Sequence, residues 1–158
     1  MENVKEAAKA MINEEGIKAA VEGLVAGGTV RDLKGITTAE IETIYRMGYN
    51  FYTTGNYKDA DTVFRYLVLL DHTNQKYWTA LGSVLQVERK FDKAATAFAY
   101  AGFLDLTNPK PQFYAAQCFL ALGDKASALS ALEALDKYAP QESPFRAKAA
   151  ELKAKIGG

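Results

Sequence analysis

His72 is the only histidine and Cys118 the only cysteine among 158 residues. A lone histidine with no nucleophile nearby makes a weak general base, and a single imidazole cannot build a metal site. His72 precedes Thr73-Asn74, where a helix is expected to end, a place the helix dipole favours for a histidine. Cys118 stands beside Phe119 and Leu120 in an apolar helical stretch and reads as a core thiol. One cysteine allows no intramolecular disulfide, which fits a reducing compartment. No phosphate-binding glycine loop, nucleophile elbow or paired-histidine motif occurs. Catalysis therefore has no positive support, and no cofactor or metal is expected. The residues that could do something are tyrosines. Tyr45, Tyr49 and Tyr52 follow one another at spacings of four and three, which places them on one helical face. Tyrosine offers a flat apolar ring and a polar tip at low rotamer cost, a combination suited to holding a peptide.

The elements that would position these rings repeat. Gly48, Gly82 and Ala116 lie 34 residues apart, as do Ala60, Ala94 and Ala128. Phe64, Phe98 and Leu132 form a third such column, and Leu67, Ala101 and Leu135 a fourth. A fixed period of this kind, with small and large apolar columns, resembles the tetratricopeptide repeat and implies three antiparallel helical hairpins over 41–74, 75–108 and 109–142. Small residues let the paired helices approach, and aromatic or large apolar residues fill the gaps around them. On the first repeat helix Ile44, Met47, Gly48 and Phe51 are expected to supply the core side. Gly55 and Gly123 suit the turn between helices, with Arg89 at the corresponding position of repeat two. Repeat three departs most, since Gln112 replaces a bulky apolar residue and Lys125 an aromatic one.

The boundaries carry their own signals. Thr37 and Glu40 make a capping box at the start of repeat one. Asn108-Pro109 reads as N-cap and first turn, and Ser143-Pro144 repeats that arrangement. After Ser143, Phe145, Ala149, Leu152 and Ile156 form one apolar stripe, expected to close the stack as a C-terminal capping helix over 143–158. Residues 1–35 lie outside the repeats and are expected to form an N-terminal helical segment. Val4, Ala8, Met11 and Ile12 make one stripe, and Ile17, Ala20, Val21, Leu24 and Val25 another. Two readings stand side by side for this segment, a cap on repeat one and a self-association surface. The fold class is thus all-α, a three-hairpin solenoid read as one domain. Nineteen basic residues balance nineteen acidic ones, which argues against nucleic acid as partner. The first residues mix charges and do not read as a secretory signal, and no apolar run is long enough to insert into a membrane.

In the repeat class that the chain resembles, the first helices line a concave face. The positions matching that face are Glu42, Tyr45, Tyr49, Tyr52 and Thr53 in repeat one. Repeat two contributes Lys76, Thr79, Ser83, Gln86 and Val87, and repeat three Lys110, Phe113, Gln117, Leu120 and Ala121. A narrower resemblance lies upstream. Gly28-Thr29-Val30-Arg31-Asp32-Leu33-Lys34-Gly35-Ile36 leads into Ile44-Tyr45, then Tyr49 to Tyr57, then Phe64-Arg65-Tyr66-Leu67 and Leu70-Asp71-His72. This order resembles the class II chaperones of bacterial type III secretion systems. The resemblance implies a cytoplasmic chaperone that keeps hydrophobic translocator proteins soluble and apart before export. Its groove would hold an extended client segment with proline and leucine anchors. The pocket positions carried over are Tyr45, Tyr49, Tyr52 and Tyr57, with Leu70 nearby. The family also implies homodimers through N-terminal helices and, for some members, a transcriptional regulator as partner. Two departures are the neutral net charge, where many such chaperones are acidic, and Tyr49, where phenylalanine would serve. The alternative is a generic repeat scaffold that binds a folded partner in a stable assembly.

Overall fold

The computed structural model describes residues 18, 22, 23 and 25–157. The two N-terminal stripes fall almost wholly outside these residues; Val25, which is described, is exposed. From Val30 onward the described chain is helical, with no strand among the described residues. A short helix α1, Val30–Lys34, precedes α2, Thr38–Thr53, and α3, Tyr57–Leu70. Then follow α4, Gln75–Val87; α5, Phe91–Leu104; α6, Pro109–Ala121; α7, Lys125–Tyr138; and α8, Pro144–Gly157. The expected hairpins are α2/α3, α4/α5 and α6/α7. Helices α3, α5 and α7 start and end 34 residues apart, and so do α4 and α6.

The lead-in before repeat one, Gly28 to Ile36, folds into a compact capping device. Thr29 Oγ1 accepts from the Asp32 N–H, and an Asp32 carboxylate oxygen accepts from the Thr29 N–H at 2.9 Å. The Thr29 hydroxyl also donates to that carboxylate at 2.7 Å, and this bond first, with the one from the Thr29 N–H, holds the Asp32 carboxyl below its ordinary range. Gly35 closes α1 in the left-handed region at φ 63°. Arg31 then ties α1 to the next helix, donating from Nε to the Ile36 carbonyl at 3.2 Å and from Nη2 to Thr38 Oγ1 at 2.7 Å. The expected capping box at Thr37 and Glu40 forms at the start of α2.

The four repeat columns are the core. Ala60, Ala94, Ala128, Leu67, Ala101 and Leu135 are fully buried, with Phe64, Phe98 and Leu132 beside them. The close approach predicted at Gly82 is real: a Cβ there would lie 2.7 Å from the Phe98 ring. Gly48 packs as tightly, and a Cβ on it would meet Val63 at 2.8 Å. Gly55 and Gly123 turn at φ 80° and 79°, and Arg89 between them in the column adopts the same left-handed conformation at φ 60°. Asn74 and Asn108 cap α4 and α6 by accepting from the N–H groups of Lys76 and Lys110.

Two expectations need correction. Met47 is not a core residue but is 48% exposed. It sits on the outer side of the first hairpin, where no described helix packs, so Ile41, Gly48, Ile44 and Phe51 carry the core side instead. His72 lies beyond α3, which ends at Leu70 with Asp71 as its C-cap. The part of His72 that matters is its carbonyl, which accepts from Trp78 Nε1 at 2.8 Å. Cys118 is fully buried, as expected of a core thiol. At the far end α8 lays Phe145, Ala149 and Ile156 against α6 and α7, and the Phe145 ring meets Phe113 edge-on at 5.5 Å.

Candidate functional site

Helices α2 and α4 face each other across an open pocket of about 290 Å³. Tyr45, Tyr49 and Tyr52 form its wall on α2, and Lys76, Thr79 and Ser83 its wall on α4. Each tyrosine is held differently. Tyr45 is half-buried, with its ring centroid 5.7 Å from Phe64 and 6.0 Å from Tyr77, and Lys76 Nζ sits 3.9 Å over its face. Tyr52 meets Tyr57 edge-on at 5.8 Å. Burial raises the phenol pKa of both Tyr45 and Tyr52 above the ordinary tyrosine value. Tyr49 alone stands free, 55% exposed.

The opposite wall is less polar than its residue types suggest. Thr79 Oγ1 donates to the Gln75 carbonyl and Ser83 Oγ to the Thr79 carbonyl, both at 2.9 Å. Their protons are committed to the helix backbone, so these hydroxyls can only accept from a ligand. Positive charge enters at one end through Lys76 and Lys110. Lys76 Nζ also pairs with Glu42 at 3.4 Å across the two first helices, an exposed contact of small energetic weight.

Of the anticipated site residues, Tyr45, Tyr49, Tyr52, Thr79 and Ser83 line this pocket together. Tyr57 backs Tyr52 from α3. Gln86 and Gln117 lie further along the first helices, where Gln86 Nε2 donates to Gln117 Oε1 at 3.4 Å. Leu70 and Phe113 are placed elsewhere. Leu70 is fully buried at the end of α3 and presents no surface to a ligand. Phe113 faces α8, because repeat three has a capping helix rather than another hairpin beside it, and its ring is taken by Phe145.

Phe64, Gln75, Ala80 and Asn108 also line the pocket and were not anticipated there. Gln75 is the organiser of that end. Its Nε2 donates to the carbonyls of Ala101 and Asp105 at 2.7 and 3.0 Å, and its Oε1 accepts from Asn108 Nδ2 at 2.8 Å. One amide thus fixes the start of α4 to the end of α5 and the start of α6. The signal was present in the column Ile41, Gln75, Pro109, where a polar residue replaces a core one.

A family model described as tetratricopeptide repeat matches residues 112–141, the repeat whose sequence departs most. The chaperone protein SicA of Salmonella typhimurium is 33% identical over 123 residues, 78% of this chain and 74% of SicA. The chain belongs to the translocator chaperones of type III secretion. Among solved structures, the translocator chaperone SycD of Yersinia enterocolitica is 29% identical with a TM-score of 0.70, covering 82% of this chaperone and 97% of SycD. PcrH of Pseudomonas aeruginosa, solved in complex with the chaperone binding region of PopD, is 28% identical with a TM-score of 0.71, over 78% of this chaperone and 95% of PcrH.

Proposed function

We propose that this chaperone works in the bacterial cytoplasm by binding and not by catalysis. It takes an extended segment of a hydrophobic translocator into the pocket between α2 and α4, with the whole chain acting as one domain. The observation that carries the reading is the wall of three tyrosines on one helical face, one of them unsupported and open to a ligand. PcrH, similar over most of its length, holds the chaperone binding region of PopD. An extended backbone suits a groove with accepting hydroxyls on one side and flat rings on the other. Proline and leucine anchors suit the rings, and burying each contributes about 1.5–3 kcal/mol. Three anchors, less the cost of ordering the peptide, leave roughly micromolar affinity. Self-association through the N-terminal segment belongs to the same proposal; SycD is also solved as an alternative dimer.

The test is titration of an extended peptide with proline and leucine anchors into the wild-type chain and Tyr49→Ala. Tyr49 supports no core contact, so the variant should melt within a few degrees of wild type. Its affinity should fall by about 2 kcal/mol, the loss typical of an aromatic anchor. Unchanged peptide affinity in a folded variant would remove the pocket from consideration.

A further inference from the structure

The first helices carry a row of charges. Glu42, Lys76 and Lys110 lie 34 residues apart and so hold the same position on α2, α4 and α6. Glu42 and Lys76 pair at 3.4 Å. Lys110, exposed and one repeat further on, has no ion-pair partner among the described residues. Each lysine follows an aspartate by five residues, and each aspartate is held in its own turn instead. Asp71 Oδ1 accepts from the N–H and hydroxyl of Thr73 at 3.1 and 2.7 Å, and Asp105 Oδ1 from those of Thr107 at 3.0 and 2.6 Å.

Both lysines line the tyrosine pocket, at the end where α4 and α6 begin. Those two helix starts touch, since Asn108 Nδ2 donates to Gln75 Oε1 at 2.8 Å. Lys76 Nζ is steered over the pocket's own wall, 3.9 Å from the Tyr45 ring. No carboxylate lines the pocket among the described residues, so its lining carries two positive charges in a chain of zero net charge. Neither α4 nor α6 has an acidic residue in its first turn, and the positive ends of their dipoles add to the same end. The neighbouring polar groups offer an anion little. Gln75 gives its amide protons to two backbone carbonyls, and Thr79 and Ser83 give theirs to the helix backbone. Tyr52 marks the far end, seven residues along α2 from Tyr45. That separation is roughly 10 Å, which an extended chain crosses in about three residues.

We propose that the pocket selects its client segment by a carboxylate as well as by apolar anchors. An Asp or Glu side chain, about three residues from the anchor seated at Tyr52, enters between Lys76 and Lys110. Lys110 is the specificity-determining residue, because Lys76 is shared with Glu42. The cations lie at one end only, so the same contact fixes the direction in which the client segment runs. The inference rests on the extended-segment reading of this pocket and adds the charge and the polarity of what it takes.

Titration of four peptides of about eight residues tests this, all with the same Pro and Leu anchors. One is neutral and blocked at both ends. Two are blocked and carry Asp, about three residues before the central Leu or about three after it. The fourth is the neutral sequence with a free C-terminal carboxylate. On wild type, one Asp peptide and not the other should bind about fivefold tighter than the neutral one at low salt. The advantage should vanish near about 1 M salt. Lys110→Gln should lose the advantage while binding the neutral peptide as wild type does. Lys110→Glu should reverse it, favouring a peptide with Lys in place of Asp. Lys110 is exposed, so both variants should melt as wild type does. The proposal falls if both Asp peptides gain equally, if neither gains, or if Lys110→Gln keeps the advantage. It also falls if the free C-terminal carboxylate gains more than either Asp, since the pocket would then read a chain end. A neutral peptide that fails on wild type, or binds Tyr49→Ala as tightly, overturns the tyrosine pocket and this inference with it. A neutral peptide that binds with no preference for Asp overturns this inference alone.

Discussion

Burial pushes the Cys118 thiol up to about 11 from its ordinary value of 9.0. The unfolded chain therefore gives up this proton at lower pH than the folded one. The stability this contributes is complete below about pH 9 and is lost as pH rises through about 11, a change of at most about 3 kcal/mol. Melting wild type and Cys118→Ala from about pH 8 to about pH 10.5 should show the steeper decline in wild type. The raised tyrosines titrate in both chains and cancel from the comparison. Parallel curves would mean the thiol ionises freely in the fold. Tyr45 invites a second comparison. It lines the pocket but also packs on Phe64 and Tyr77, so Tyr45→Ala should cost about 3 kcal/mol of stability, unlike Tyr49→Ala. Spacing put Tyr45, Tyr49 and Tyr52 on one face and so made the pocket wall legible. It did not say which ring was half-buried, because that depends on Tyr77 and Lys76 arriving from another helix.

Between helices, the turn residues decide more than the helices do. Gly55 and Gly123 adopt φ near 80° without a side chain, but Arg89 holds φ 60° with one. A left-handed residue other than glycine costs about 1–2 kcal/mol, partly offset by the extra freedom glycine loses on folding. Arg89→Gly should therefore stabilise the chain by about 0.5–1 kcal/mol, read as a higher urea midpoint with unchanged slope. Gly82→Ala should act in the other direction. Its methyl would fall 2.7 Å from a Phe98 ring packed on all sides, and the expected loss is about 1–3 kcal/mol. A melt equal to wild type would show that the α4/α5 crossing can yield. These positions were legible because a 34-residue period sets three independent copies of each contact side by side. Phe113 was misread for the same reason. Its repeat position matched the groove, but the last repeat meets α8, and a periodic argument carries no information about what closes the end. Gln112 was legible as a departure but not as a buried residue, since only the packing of α6 against Gly102 shows where its amide lies.

Taken as a whole, the molecule is a ladder in which each helix from α2 to α7 packs mainly on its sequence neighbours, with α1 on α3 and α8 on α6 and α7. A ladder is as stable as its ends, so deleting 143–158 should expose Phe113 and Leu132 and unfold repeat three first. Hydrogen exchange should then show early loss of protection in α6 and α7, with α4 and α5 protected longest. Uniform loss across all helices would indicate a single cooperative unit. Local contacts also mean low contact order, and such chains fold within microseconds to milliseconds, far faster than a ribosome adds residues. The tyrosine pocket draws its walls from α2, α3 and α4 and its rim from Asn108 and Lys110, all upstream of Pro111. Every residue that touches the pocket has thus been synthesised before about the last third of the chain. A client emerging from a neighbouring ribosome would meet a receptor whose binding surface is already written while its closing helix is still being made.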